Sequence, residues 1–411
     1  MNEPSRRKVT RRGVLTAGAG LAASGALAPD AAGAEPVQVA KPNVYEALGV
    51  KPIINAVGTV TMFGGSVMPP EVVAAWAEAS KHFVDLTDLH DKVAAKIANL
   101  LGAEAACVTT GAAGALSLGA AAAITRGDKK LIGRLPDTAG ARNEVILQKT
   151  HHSCYDNQLT AAGAKLIEVE TAADVAKVAG ERTALMFFMN IVTDAGKIDR
   201  AGWVKHAREH KVPTLIDAAA DVPPVSRVAE YARMGFDLIA LSGGKAMRGP
   251  NDTGLLLGRA DLIAAARLNA SPNCPTFGRA MKVGKEDMVA LLAAVERFVR
   301  LGDLGEVKEC EQRIAVIEKA VKAVPTVECE RITPAIANHV PHLQIAWNEK
   351  TVKIAPAKVA RELADGTPSI RVGRVSGTGD KGILFSVLTL QPGEEQIVAA
   401  RVAEVLKNAA R

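Results

Sequence analysis

The chain has 411 residues, 48% of them hydrophobic and only 3% aromatic, with 36 glycines. That is enough apolar material for one large core and a smaller one, and so many small residues suit packed α/β layers rather than a β-sandwich. The formal charge of +6 invites a nucleic-acid reading, but residues 1–34 hold Arg6, Arg7, Lys8, Arg11 and Arg12 against Glu3 and Asp30; the remainder is only +3, with no evident phosphate-backbone surface.

In chain order, Thr10-Arg11-Arg12-Gly13-Val14-Leu15 is a twin-arginine pattern. The uncharged stretch Val14 to Ala28 follows it, and Ala32-Gly33-Ala34 is a small-residue cleavage site before Glu35. These mark residues 1–34 as an export signal for the twin-arginine translocation machinery, with a periplasmic or secreted product. The apolar stretch is short for a membrane span, so no stable span is expected; an uncleaved anchor or a basic tail is the plainer alternative. Residues 35–68 form an N-terminal segment, with a short helix at 43–48.

Pro69-Pro70-Glu71 opens a helix with Val72, Val73 and Trp76 on one side, and a second helix runs from about Thr87 to Leu101, stopped by Gly102. An alternating order then begins. Strands are expected at 105–109, 144–148, 165–169, 184–189, 214–217, 237–241 and 254–258, with helices at 111–124 and 156–162 and in most of the other gaps. Short, continuous apolar strands separated by helices predict a mainly parallel sheet covered on both faces, within a large domain at 69–284. From Lys285 the character changes. A linking helix reaches Leu301, with Leu291, Leu292, Val295, Phe298 and Val299 at helical spacing. A helix at 307–324, strands at 326–330 and 343–347, a helix at 356–363, a strand near 383–388 and a helix from Pro392 complete a small α+β domain, 285–411.

Ligands of open parallel sheets bind at the carboxyl ends of the strands, and four features fall there. Thr110-Gly111-Ala112 joins a strand to a helix, where small residues and a helix N-terminus suit an anion such as a phosphate; a plain tight turn is the rival reading. His151 and His152 follow the strand at 144–148, where an imidazole can cover a flat ring; solvated loop histidines are the bland reading. Asp217 ends an apolar strand, where a lone Asp would ordinarily cap a turn. Ser242-Gly243-Gly244-Lys245 follows the next strand, with Lys245 28 residues on from Asp217, so one crossover helix brings the lysine and the carboxylate to one edge. An amine for a Schiff base and a carboxylate for a pyridine nitrogen are what pyridoxal 5'-phosphate (PLP) requires. The two histidines lack a partner cluster, so no metal is expected. Five cysteines, Cys107, Cys154, Cys274, Cys310 and Cys329, show no metal spacing and specify no disulfide; Cys107, in an apolar strand, reads as a buried thiol.

Several runs carry a resemblance: Ile54-Asn55-Ala56-Val57-Gly58-Thr59, Gly64-Gly65-Ser66-Val67-Met68, Thr110-Gly111-Ala112-Ala113, Ser242-Gly243-Gly244-Lys245, Arg248-Gly249-Pro250, and Gly278-Arg279-Ala280-Met281-Lys282-Val283-Gly284-Lys285. Over residues 43 to 408 the chain resembles the selenocysteine synthase-like (L-seryl-tRNA(Sec) selenium transferase-like) fold type I PLP enzymes, and within them the D-glucosaminate-6-phosphate ammonia-lyase group. The resemblance implies a PLP-dependent transferase fold with a seven-stranded sheet. It implies that Lys245 holds the cofactor, Asp217 its ring nitrogen, and Thr110, Gly111 and Ala112 its phosphate, with Ser242 also touching the cofactor and His151, or His152 as alternative, on the ring. It also implies a homodimer or larger homo-oligomer in which Arg248 or Arg279 reaches a neighbour's site.

Two departures shape the expected function. The N-terminal RNA-gripping domain of selenocysteine synthases is replaced by an export signal, so no nucleic acid is expected. The strand before Pro392-Gly393-Glu394-Glu395 reads Leu384-Phe385-Ser386-Val387-Leu388, without the Asp and Arg that relatives carry there, and Arg371 or Arg374 is the substitute for binding substrate. The expected activity is a lyase on a small amine substrate, an amino acid or amino sugar acid, releasing ammonia and a keto acid. A β-replacement transferase and a non-catalytic periplasmic binding protein are the alternatives.

Overall fold

A computed structural model of the chain describes residues 43–373 and 382–411. Residues 1–50 and 51–411 form separate units. The described part of the first is one 3-10 turn, Glu46–Leu48, started by Asn43 Oδ1 accepting from the amides of Tyr45 and Glu46 and ended by left-handed Gly49.

The second unit is built on a sheet of seven strands. In chain order the strands of the unit are β1 (Ile53–Ala56), β2 (Ala105–Thr110), β3 (Glu144–Gln148), β4 (Lys165–Val169), β5 (Thr183–Met189), β6 (Thr214–Asp217), β7 (Leu238–Ser242), β8 (Thr253–Gly258), β9 (Glu328–Ile332), β10 (His342–Ala346), β11 (Ser369–Val372) and β12 (Ile383–Phe385). The large sheet has the order β2-β8-β7-β6-β5-β3-β4, and β8 alone runs antiparallel to its neighbours. Every residue of β5, β6, β7 and β8 is buried, as continuous apolar runs require when helices cover both faces. Alternate residues divide between two cores. Phe188, Ile216 and Ile239 pack with Ile97, Trp203 and Phe298 on one face. Phe187, Leu215 and Ala240 pack with Leu116, Ala120 and Leu262 on the other.

The helix Gly111–Thr125 shows why small residues matter. From Gly114 to Thr125 it is wholly buried, so it has no polar face, and a methyl group at Gly119 would come within 3.1 Å of Leu215. Alanine and glycine let this helix lie close against the sheet.

A third core joins the far half of the helix Lys285–Val321 to the antiparallel sheet β12-β10-β9 and the helices Pro356–Asp365 and Glu394–Ala409. β1 pairs in parallel with β11, so Ile54 and Ala56 belong to this core. The pairing joins segments more than 300 residues apart, and neither strand is evident from its own pattern.

Two local expectations are corrected. The helices expected at 285–301 and 307–324 form one helical run, broken at Gly302 by φ 60° and ψ −179°. The strand expected to reach Leu388 stops at Phe385. There the Ser386 amide turns to Ala56 O, and the carbonyls of Val387 and Leu388 accept from Arg313 and Arg248 instead of a neighbouring strand. On the helix Pro70–Ala79 only Val72 is buried; Val73 and Trp76 are exposed, with Trp76 Nε1 donating to Asp287 at 2.8 Å. Cys107 is buried, which pushes its thiol up to about 12, and all five cysteines are free. No helix among the described residues is long and apolar enough to cross a membrane.

Candidate active site

The register of the sheet gathers the expected residues at one edge. Thr110 pairs with Thr253, Ser242 with Gly254, Asp217 with Ala240 on β7, and Met189 with Asp217. The ends of β2, β8, β7, β6 and β5 therefore lie side by side.

Asp217 is the last residue of β6 and is 7% exposed. Its Oδ1 accepts from the Ala219 amide at 3.0 Å. Burial pushes its carboxyl up to about 6, while that hydrogen bond and the charge of Lys245 pull it back down. Lys245 is partly exposed. Burial holds its amine below the usual lysine range, and Asp217 and Asp221 pull it back up. The two groups are thus close enough for each charge to act on the other.

The glycines before Lys245 are required by space. A methyl group at Gly243 would lie 2.4 Å from Leu291 Cδ1 and from Thr253 Oγ1, and one at Gly244 2.4 Å from the Asn251 backbone. Ser66 Oγ donates to Gly244 O at 2.9 Å, so the Gly64-Gly65-Ser66 run packs against the lysine loop. The loop is closed by Arg248 N–H donating to Lys245 O at 2.9 Å, with Arg248 in a left-handed conformation. Within its own chain Arg248 is 8% exposed and donates to Leu388 O at 2.8 Å.

Thr110, Gly111 and Ala112 form the turn into the buried helix. Gly111 has φ 65°, and no side chain caps the first amides. Gly254 makes room for this turn: a methyl group there would lie 2.2 Å from Gly111 C and 2.7 Å from Ala112 N. A methyl at Gly114 would press on Thr110 Oγ1 at 2.4 Å. Uncapped amides at the positive end of a helix, with glycines clearing their approach, suit a phosphate. A buried carboxylate and a desolvated lysine one strand apart suit a protonated pyridine ring carrying an aldehyde. The residues fit PLP.

The two histidines are placed differently from each other. His151 is wholly buried beside Met189, with Nδ1 3.2 Å from the Met189 amide and Nε2 3.2 Å from Gln148 Nε2. Its ring stands edge-on to Phe188, centroids 4.5 Å apart, and burial pushes it down to about 4, so it is neutral. His152 binds Asp156 (2.5 Å) and Glu168 (3.2 Å) through its two nitrogens; the Asp156 hydrogen bond holds it above the usual histidine range. Tyr155, three residues on and half-exposed, is near enough to Asp217 that the carboxylate adds to burial in raising its phenol. It was missed because nothing in its local pattern links the loop to β6.

Arg371 lies on β11 in register with Asn55, and its Nε is buried without a partner. Ser386, whose amide binds Ala56 O, has an equally unpartnered buried hydroxyl. Arg374 lies outside the described residues.

No protein-family model matches the chain. D-glucosaminate-6-phosphate ammonia lyase of Salmonella typhimurium is 28% identical over 382 residues, covering 90% of this chain and 99% of that protein. A solved structure of a D-glucosaminate-6-phosphate ammonia-lyase superposes with a TM-score of 0.79 at 27% identity, over 90% of this chain and all of the other. L-seryl-tRNA(Sec) selenium transferase of Geotalea uraniireducens is 26% identical over 362 residues, 80% of this chain and 70% of that protein. An SPT structure solved with PLP shares the fold at a TM-score of 0.53 and 16% identity, over 87% of this chain and 88% of the other. The chain thus has the fold of the type I PLP enzymes and is similar in sequence, over most of its length, to the ammonia lyase and to the selenium transferases.

Proposed function

We propose that the chain is a PLP-dependent lyase that removes ammonia from an amino acid or amino sugar acid bearing a β-hydroxyl group. The observation that carries this reading is the mutual placement of Asp217 and Lys245 at the ends of β6 and β7. Lys245 would hold the cofactor through its amine. Thr110, Gly111 and Ala112 would hold its phosphate, and Ser242, paired with Gly254, would also touch the cofactor. His151, or His152 as the alternative, would be the histidine beside the ring. When bound, PLP supplies an electron sink for the charge left at the substrate α-carbon.

The chain's own residues do the rest. Lys245, once free, takes the α-proton as general base; its desolvation favours the neutral amine this requires. Asp217 would pair with the ring nitrogen of the bound cofactor and keep it protonated, which would offset the upward push of burial on the carboxyl. The β-hydroxyl leaves as water, taking a proton, and the released enamine is hydrolysed to a 2-keto acid and ammonia. Arg371, with an unpartnered Nε, and Arg374 take an acidic group of the substrate, in place of the arginine missing from the strand ending at Phe385. The phosphorylated sugar acid in the relatives' name is thus the less favoured member of the class.

A β-replacement transferase uses the same residues and is supported by the selenium transferase likeness; it retains the amino group and consumes a second nucleophile. A screen of β-hydroxy amino acids and 2-amino sugar acids, with and without an added thiol, separates the two. Ammonia and keto acid in equal amounts, abolished in Lys245→Ala, support the lyase. An amino-acid product that requires the thiol, with no ammonia, overturns it.

We further propose that residues 1–34 act as a twin-arginine leader and that the mature chain works in the periplasm or outside the cell, which the run Thr10–Leu15 supports. A homo-oligomer is supported by the exposed apolar side chains Met62, Val67, Phe83 and Leu304.

A further inference from the structure

The turn after β6 carries a second buried carboxylate that the chemistry above does not use. Asp221 is 3% exposed, and its Oδ2 accepts from Asn190 Nδ2 at 2.5 Å and from the Tyr231 hydroxyl at 2.8 Å. Asn190 follows β5 and is itself wholly buried, its Oδ1 accepting from Arg200 at 3.3 Å. Tyr231 comes from the helix Arg227–Met234. Elements from three parts of the sheet edge thus converge on one carboxylate, where an unpaired one would be costly.

The backbone of the same turn is tied in four directions. The Asp221 amide donates to Ala218 O at 3.0 Å and closes the turn. The Ala219 amide holds Asp217 Oδ1 at 3.0 Å. Ala219 O accepts from the Ser242 amide at 3.2 Å, three residues before Lys245. Ala220 O accepts from the Asn338 amide at 2.8 Å, and Asn338 Oδ1 from Thr59 Oγ1 at 2.9 Å. Four successive residues therefore touch the ring-facing carboxylate, the lysine loop and the small domain.

We propose that Asp221 is a positioning residue: anchored by Asn190 and Tyr231, it fixes the turn 218–221 and, through the Ala219 amide, the direction in which Asp217 presents its carboxylate to the cofactor. The inference rests on the PLP reading above. The charge of Asp221 raises the proton affinity of both Asp217 and Lys245, which by itself opposes the ionised carboxylate and neutral amine the chemistry needs, so its support of the site is positional. A carboxylate that only stabilised the ends of β5 and β6 would have the same hydrogen bonds but no effect on bound cofactor.

The test compares wild type, Asp221→Ala, Asp221→Asn and Tyr231→Phe as full-length proteins stripped of cofactor and titrated with PLP. Affinity is read from the visible absorption band, ring orientation from visible circular dichroism, and folding from thermal melting. Asp221→Ala removes the acceptor, and an unsatisfied donor pair weakens PLP binding about tenfold or more and alters the dichroic band. Asp221→Asn keeps an acceptor oxygen and stays within about threefold of wild type, and Tyr231→Phe falls between the two. A folded Asp221→Ala with wild-type affinity and dichroism overturns the inference, even if it melts lower. If that variant does not fold, Tyr231→Phe with both cofactor readouts unchanged overturns it. A wild type without the visible band overturns the cofactor reading itself and the inference with it; a wild type with the band and an unmoved Asp221→Ala overturns the inference alone.

Discussion

Gly254→Ala tests the phosphate end of the site without touching any group that carries charge. The added methyl group would lie 2.2 Å from Gly111 C, 2.3 Å from Gly111 O and 2.7 Å from Ala112 N. Ordinary contact needs more than 3.4 Å, so the backbone at the start of the helix Gly111–Thr125 must retreat by roughly 1 Å. The helix is buried from Gly114 onward and cannot slide away as a body, so the first amides must turn. Overpacking of this kind costs about 1–3 kcal/mol, and amides displaced from a bound phosphate lose a comparable amount of affinity, roughly 10- to 100-fold. Gly111→Ala is the control: its φ is 65°, but nothing lies within 4 Å of the added carbon, so it loses about 1–2 kcal/mol of stability through strain. The assay titrates the cofactor-free protein with PLP and, separately, with pyridoxal, which lacks the phosphate. Gly254→Ala should weaken PLP far more than pyridoxal and bring the two affinities together. Equal losses for both, or none for PLP, would refute a phosphate site at the Thr110–Ala112 turn.

Three more outcomes follow from particular residues. Without cofactor, Asp217 has a proton affinity raised to about 6 from 3.8, so the folded protein binds the proton more tightly than the unfolded chain. Stability from this group is complete below about pH 4 and is lost as pH rises through 6, so cofactor-free Asp217→Asn should match wild type in acid and exceed it by about 3 kcal/mol above pH 7 in denaturant melts. His151, depressed to about 4, opposes this trend but is common to both proteins and cancels in the difference. Arg371→Ala should raise KM for the best substrate of the ammonia screen about tenfold or more with a smaller change in kcat, read from initial rates; an unchanged KM would remove Arg371 from the substrate. Arg11→Lys combined with Arg12→Lys should leave the precursor in the cytoplasm by cell fractionation, whereas undiminished export would exclude the twin-arginine route.

The strands that build the site were legible because burial on both faces leaves an unambiguous mark. β3 and β6, buried along nearly their whole length, fall on the residues expected, and Asp217 and the Lys245 loop follow neighbouring strands as a one-helix crossover dictates. What local pattern does not encode was not legible. β1 and β11 are four residues each and acquire meaning only from pairing across the chain. Arg248 gave no sign of its bond to Leu388 O, which comes from a segment 140 residues away. The histidines illustrate a third limit: adjacent in sequence and equal in chemistry, one is sealed against Phe188 and the other bound by two carboxylates. The Asp221 cluster escaped for the same reason, since Asn190 and Tyr231 are ordinary residues until the fold brings them together.

The central claim is that Lys245 is the residue that binds the cofactor covalently. Borohydride reduction of the purified protein saturated with PLP, followed by proteolysis and mass spectrometry, tests it most directly. The account predicts loss of the visible band and a reduced pyridoxyl adduct on the peptide containing Lys245, absent from Lys245→Ala. An adduct on another lysine, or a wild-type protein that acquires neither band nor adduct, would contradict it.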